Sequence, residues 1–205
     1  REEWPLQVED FDEGFLGLMT TTAGEIHSLP VAADVYVMYY NRRMFDEAGL
    51  DYPSEDWTYD DLREYAMTLT RELPNGTMQY GFVWDPVQSH NAIQGPGAAG
   101  FTVSSLDENN EFNFNSPVAV EGWQHYFDGL TEGWSMPVDE IQDLGGYLNA
   151  FSLGRSAMVP GGRWAVPAFR ENLADDWDVQ IMPAGRSGRH FANGGAFGYS
   201  VGAST

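Results

Sequence analysis

Trp57-Thr58-Tyr59-Asp60-Asp61-Leu62, carried on through Tyr65-Ala66, Leu69 and Leu73 to Pro74-Asn75-Gly76 and then Gln79 to Trp84, is the stretch that decides the fold. Thr58 stands where a hydroxyl accepts from the first turn of a helix, and Asp61 three residues on completes a capping box. Leu62, Tyr65, Ala66, Leu69 and Leu73 recur at helical spacing and form one apolar face, which predicts a helix over 57–73. Pro74-Asn75-Gly76 then turns the chain, and Gln79 to Trp84 reads as a strand. Helix, turn and strand in succession is the alternation of an α/β fold.

The segments on either side extend that alternation. Upstream, Val31 to Tyr40 is β-branched and aromatic and reads as one buried strand. Its adjacent tyrosines, Tyr39 and Tyr40, point to opposite faces, which favours core packing over a paired metal-binding role. Arg42 to Ala48 follows as a short helix stopped by Gly49, and residues 1–30 are acidic and irregular. Downstream, residues 85–115 are rich in Gly, Asn, Gln and Ser. A second clear helix spans Pro117 to Glu132, with Val120, Trp123, Phe127 and Leu130 along one side and Gly133 closing it. A shorter helix over 146–153 and two strands, near 157–159 and 179–182, complete the pattern. Gly161-Gly162-Arg163-Trp164 lies between those strands.

Charge narrows the class of partner. The 205 residues carry 31 acids against ten arginines and no lysine, a formal net charge of −21. Phosphate backbones need a basic patch, so nucleic acid is not expected as a partner, and an anionic membrane surface is repelled. The carboxylates read either as a surface kept hydrated in high salt or as an attraction for cations and basic partners. Cysteine is absent, which removes disulfides, zinc–thiolate sites and thiol nucleophiles. No apolar run approaches the ~20 residues of a membrane span, and no signal peptide is visible at Arg1-Glu2-Glu3-Trp4. Either the chain is cytoplasmic or its start has been removed.

Most reaction chemistry finds no motif. The four histidines, His27, His90, His125 and His190, are too far apart in sequence for a zinc signature. There is no nucleophile elbow, no phosphate loop and no dinucleotide spacing, so no metal or cofactor is expected. Asp10, Asp12 and Glu13 lack the spacing of a calcium loop. Paired carboxylates are abundant enough to leave a glycosidase acid and base open. Asn75-Gly76-Thr77 fits a glycosylation acceptor on a turn.

Four segments in fixed order carry a resemblance. They are Leu29 to Leu50, with Asp34-Val35-Tyr36 and Met44-Phe45-Asp46-Glu47-Ala48-Gly49-Leu50; Trp57 to Leu62; Phe114-Asn115-Ser116-Pro117 with its helix through Gly133; and Phe151-Ser152-Leu153-Gly154-Arg155-Ser156-Ala157-Met158 with Gly161 to Trp164. Together they resemble the extracellular solute-binding proteins of ABC importers, the maltose-binding-protein-like family 1. The resemblance implies the C-terminal lobe of a periplasmic-binding-protein-like (type II) two-lobed α/β fold, truncated at both ends. It implies an N-lobe remnant and hinge approach over 1–33, the C-terminal lobe over 34–197, and a second crossing toward the N lobe over 198–205. It also implies an extracellular or periplasmic monomer anchored through an upstream segment, with a small-molecule solute, a sugar by preference, and an ABC permease as partners.

The same resemblance places the contacts. Asp34 stands where the first crossing strand puts a carboxylate that accepts from sugar hydroxyls. Trp84 and Asp85 end a strand, where ligands sit in open α/β sheets, although Trp84 also suits the core and Val87 replaces the aromatic residue that would suit an oligosaccharide. Trp164 is the stacking candidate, since aromatic faces cover the C–H surface of a polyol. Arg163 beside it either donates to a ligand oxygen or pairs with an acid on this surface. Asn193 and Gly194 fall at the second crossing, with Gln94 and Tyr147 as weaker candidates. A phosphorylated ligand is disfavoured by the scarcity of positive charge. A carbohydrate-active hydrolase and a ligand-presenting sensor subunit are the alternative readings.

Overall fold

The computed structural model describes residues 8–84, 116–173, 176–185, 188, 190, 192, 194–200 and 202. Contacts divide the chain into two units, one of Arg1–Val35 with Gly194–Thr205 and one of Tyr36–Asn193. In the first unit, helix α1 (Glu13–Leu18) is capped by Asp12, whose carboxylate accepts from the Gly14 and Phe15 amides. Strands β1 (Leu29–Val35) and β7 (Gly194–Tyr199) form an antiparallel ribbon that pairs Leu29 with Tyr199 and Val35 with Gly194.

The second unit is a mixed α/β body. Its elements in chain order are β2 (Val37–Asn41), α2 (Arg42–Ala48), α3 (Tyr59–Leu69), β3 (Arg71–Glu72), β4 (Met78–Phe82), α4 (Pro117–Thr131), α5 (Val138–Asp143), α6 (Tyr147–Ser152), β5 (Ser156–Gly161), α7 (Val166–Leu173) and β6 (Trp177–Gln180). The sheet runs β3-β4-β5-β2-β6, with β4 and β5 parallel and the other pairs antiparallel. Every residue of β5 is buried, as expected of a central strand covered on both faces. Tyr40 joins one core cluster with Phe45, Trp57 and Leu62, while Tyr39 joins a second with Phe151 and Phe169. Neighbouring tyrosines therefore serve opposite faces of the sheet.

Three local readings change in the structure. The strand expected over 31–40 is two strands in two sheets, separated at Tyr36. Val31, Ala32 and Ala33 are exposed in the ribbon, whereas Met38, Tyr39 and Tyr40 are buried. Helix α3 starts as read: the Thr58 hydroxyl accepts from the Asp61 amide at 3.2 Å and Asp61 Oδ2 accepts from the Thr58 amide at 2.7 Å. It stops at Leu69, short of Leu73, because Thr70 turns extended. The Thr70 hydroxyl donates to the Ala66 carbonyl at 2.7 Å and accepts from the Gly81 amide at 2.8 Å, tying the helix end to β4. Helix α4 does not bury the side chosen by apolar size, since Val120 and Phe127 are half exposed. Gly122 and Gly129 are buried instead. A Cβ at Gly129 would lie 2.9 Å from the Trp134 ring, so the glycine admits the neighbour that a larger residue would push away.

Candidate functional site

One candidate contact surface of the second unit is built at the end of β5. The strand ends at Gly161, Gly162 follows, and Arg163–Ala165 forms a short 3-10 turn leading into α7. The Tyr39 hydroxyl donates to the Gly162 carbonyl at 3.0 Å and pins the backbone there. Trp164 keeps 45% of its surface exposed. Its indole meets Tyr36 edge to face, with ring centroids 5.2 Å apart and planes at 71°. Tyr36 is itself buried. This is an aromatic surface braced from behind, suited to stacking against an apolar face of a polar guest.

Arg163 is exposed and forms no salt bridge among the described residues. Trp84 is a core residue: it is 6% exposed and packs in the cluster of Phe82, Trp134 and Met182. Tyr147 is likewise buried, in the cluster of Ile141 and Phe151.

In the first unit, Asp34 is half-buried on β1 opposite Gly195. Its Oδ1 accepts from the Val35 amide at 3.1 Å, leaving further lone pairs for a donor. Gly194 is the partner of Val35, and a Cβ there would lie 3.0 Å from the Asp34 carbonyl oxygen. The structure thus brings Asp34 and Gly194 together on the ribbon, and Arg163 and Trp164 together on the turn. Asp85, Gln94 and Asn193 lie outside the described residues.

Two further concavities occur in the second unit. A cavity of about 40 Å³ is lined by Trp84, Trp134, Tyr59, His125 and Ser135, among others. Tyr59 Oη, His125 Nε2 and Ser135 Oγ are buried with no hydrogen-bond partner among the described residues. Burial holds the His125 imidazole below its ordinary range. Outside it a groove of about 540 Å³ is bordered by Asp60, Arg63, Glu121 and Asp128. Among the described residues no group of three or more His, Asp or Glu is placed to hold a metal ion.

Sequence reasoning did not name Tyr36 as part of the site. Its signal was the aromatic residue directly after Asp34-Val35.

Comparison with known proteins agrees with this architecture. A maltotriose-binding protein of Pyrococcus abyssi is 22% identical over 171 residues, 82% of this chain and 34% of that protein. A putative binding protein of Brucella abortus is 24% identical over 167 residues, 80% of this chain and 39% of that protein. The GacH receptor of Streptomyces glaucescens, solved unliganded and with acarbose, superposes with a TM-score of 0.78 at 18% identity, covering 98% of this chain and 50% of the receptor. The chain thus spans about a third to a half of the length of the relatives it matches. The family described as bacterial extracellular solute-binding protein matches residues 2–205, and the chain belongs to that family.

Proposed function

We propose that the protein carrying this chain captures a carbohydrate outside the cell and hands it unchanged to the permease of an ABC importer. The observation that carries the reading is Trp164, a large aromatic surface left open to solvent at the end of a buried strand and braced by Tyr36. An indole face offers a sugar ring its C–H contact, and carboxylates and amides accept and donate to hydroxyls. Asp34 is the acceptor we assign to the ribbon, with Gly194 admitting the backbone beside it. Arg163 supplies a donor. The 36–193 unit is read as the C-terminal lobe and the β1–β7 ribbon as the crossing between lobes. The relatives named for maltotriose and solved with acarbose support this ligand class.

The test is calorimetry of the full-length protein with maltose, maltotriose, acarbose and sorbitol, beside Trp164→Ala. Saturable binding of at least one sugar is expected, with the variant weaker by about tenfold, or ~1.4 kcal/mol. A protein that ignores the whole panel refutes the reading. Cleavage of a glycoside in the same samples would replace it with the hydrolase reading, since a binder releases its guest intact.

A further inference from the structure

Glycine at position 162 is not required by the backbone. Its φ of −107° and ψ of −174° are open to any residue. What forbids a side chain there is the indole two residues on: a Cβ at Gly162 would lie 1.9 Å from Trp164 Cζ3 and 2.5 Å from Cε3 and Cη2. The ring therefore lies against the bare α-carbon of Gly162, and buried Tyr36 meets it edge-on. The Tyr39 hydroxyl holds the Gly162 carbonyl, so this seat is tied to the buried sheet rather than to a mobile loop.

We propose that Gly162 and Tyr36 are positioning residues that hold the Trp164 indole in one orientation, and that this makes the site select a cyclic sugar over an acyclic polyol. The proposal rests on the carbohydrate reading above. The reasoning is entropic and geometric. An exposed tryptophan loses rotamer freedom when it stacks, and a seated ring has lost it already, which is preorganisation. A pyranose presents a continuous C–H face to such a ring. A flexible acyclic polyol must be ordered to do the same, so it gains less from a pre-set indole.

Gly162→Ala separates this role from a purely structural one. The backbone accepts alanine, and the atoms a methyl group displaces belong to a half-exposed side chain that can swing into solvent. The variant is expected to fold with the wild-type melting temperature and to move the indole. The ligand-free readout is the Hα resonance of Gly162. In the full-length protein it should be shifted out of the ordinary glycine range by the indole ring current, and Trp164→Leu should return it. Tyr36→Leu should reduce the shift, and Tyr36→Phe should preserve it.

The binding readout uses maltose and sorbitol as probes. Wild type is expected to prefer maltose, and Gly162→Ala to lose about tenfold toward maltose, ~1.4 kcal/mol, with sorbitol changed less than about twofold. An ordinary Gly162 Hα shift in the wild type overturns the seat. Equal losses for both probes, or none, overturn the selectivity, as does a wild type that binds sorbitol as tightly as maltose. A wild type that binds neither probe overturns the selectivity through the carbohydrate reading, and the Hα signal then still decides the seat.

Discussion

Gly81 of β4 and Ala66 of α3 meet backbone to backbone: a Cβ on residue 81 would sit 2.0 Å from the Ala66 carbonyl oxygen and 2.3 Å from its Cα. Neither obstacle is the end of a flexible side chain, so relief requires the helix to lift from the sheet. Gly81→Ala is expected to destabilise the fold by about 3 kcal/mol, at the upper end of ordinary overpacking. Urea unfolding measures it, and an unchanged midpoint would show that α3 shifts freely over β4.

Arg155 binds two parts of the second unit at once. Its Nε donates to the Met78 carbonyl at 2.8 Å and its guanidinium pairs with Glu140 at 3.0 Å, while the Tyr80 hydroxyl donates to the same carboxylate at 2.5 Å. Tyr80→Phe removes one bond from a network that stays otherwise intact and should cost about 1 kcal/mol. A double cycle with Glu140→Gln should show coupling between the two positions. Additive losses would mean that the hydroxyl and the carboxylate act separately.

Alkaline titration should divide the tyrosines. Burial, with help from the Asp178 charge, pushes Tyr40 up to about 12. Burial also pushes up Tyr59, and it pushes up Tyr80 together with the Glu140 hydrogen bond. In the unfolded chain these phenols ionise near ~10. Stability is therefore full below that pH and falls as pH rises above it, because the unfolded state gives up protons first. Part of the tyrosinate absorbance should appear only together with the loss of circular dichroism. A single phase preceding unfolding would contradict the burial.

Acid should act through His125. Burial is the largest influence and depresses its pKa, opposed by Asp128, Asp60 and Glu132 and assisted by Arg63. The unfolded chain takes up this proton at about 6.5. Stability is therefore complete above that pH and declines as pH falls from there toward the depressed native value. His125→Phe should flatten the dependence of the urea midpoint between about pH 7.5 and about pH 5.5. A variant with the wild-type slope would place the acid sensitivity elsewhere.

Local chemistry was the legible part of the chain. The Thr58–Asp61 box, the opposed faces of Tyr39 and Tyr40, and the stop at Gly49 each depend on a few neighbouring residues, and each stands as read. What was not legible depends on residues distant in sequence. Trp84 was read as suiting either the core or a ligand, and the partners that enclose it, Trp134 and Met182, lie far from it in sequence. Helix α4 packs where Gly129 makes room for Trp134, whereas a periodicity reading weights large apolar residues and passes over a glycine. The seat of Trp164 was half visible, in the paired glycines before it. Tyr36 contributes from the link between β1 and β2, far from Trp164 in sequence, and its contact with the indole emerges only from the fold.

The β1–β7 ribbon sets a timetable for synthesis. Val35 pairs with Gly194 and Leu29 with Tyr199, so β1 waits for a partner made about 160–170 residues later. At ~5–20 residues per second the wait is roughly 10–30 s. Through that interval Val31 and Val35 sit on a strand that lacks β7, while the five-stranded sheet can close among residues already made. An unpaired strand edge invites other chains. Newborn copies therefore carry an open edge, and a route to clumping, until the second half of the ribbon emerges.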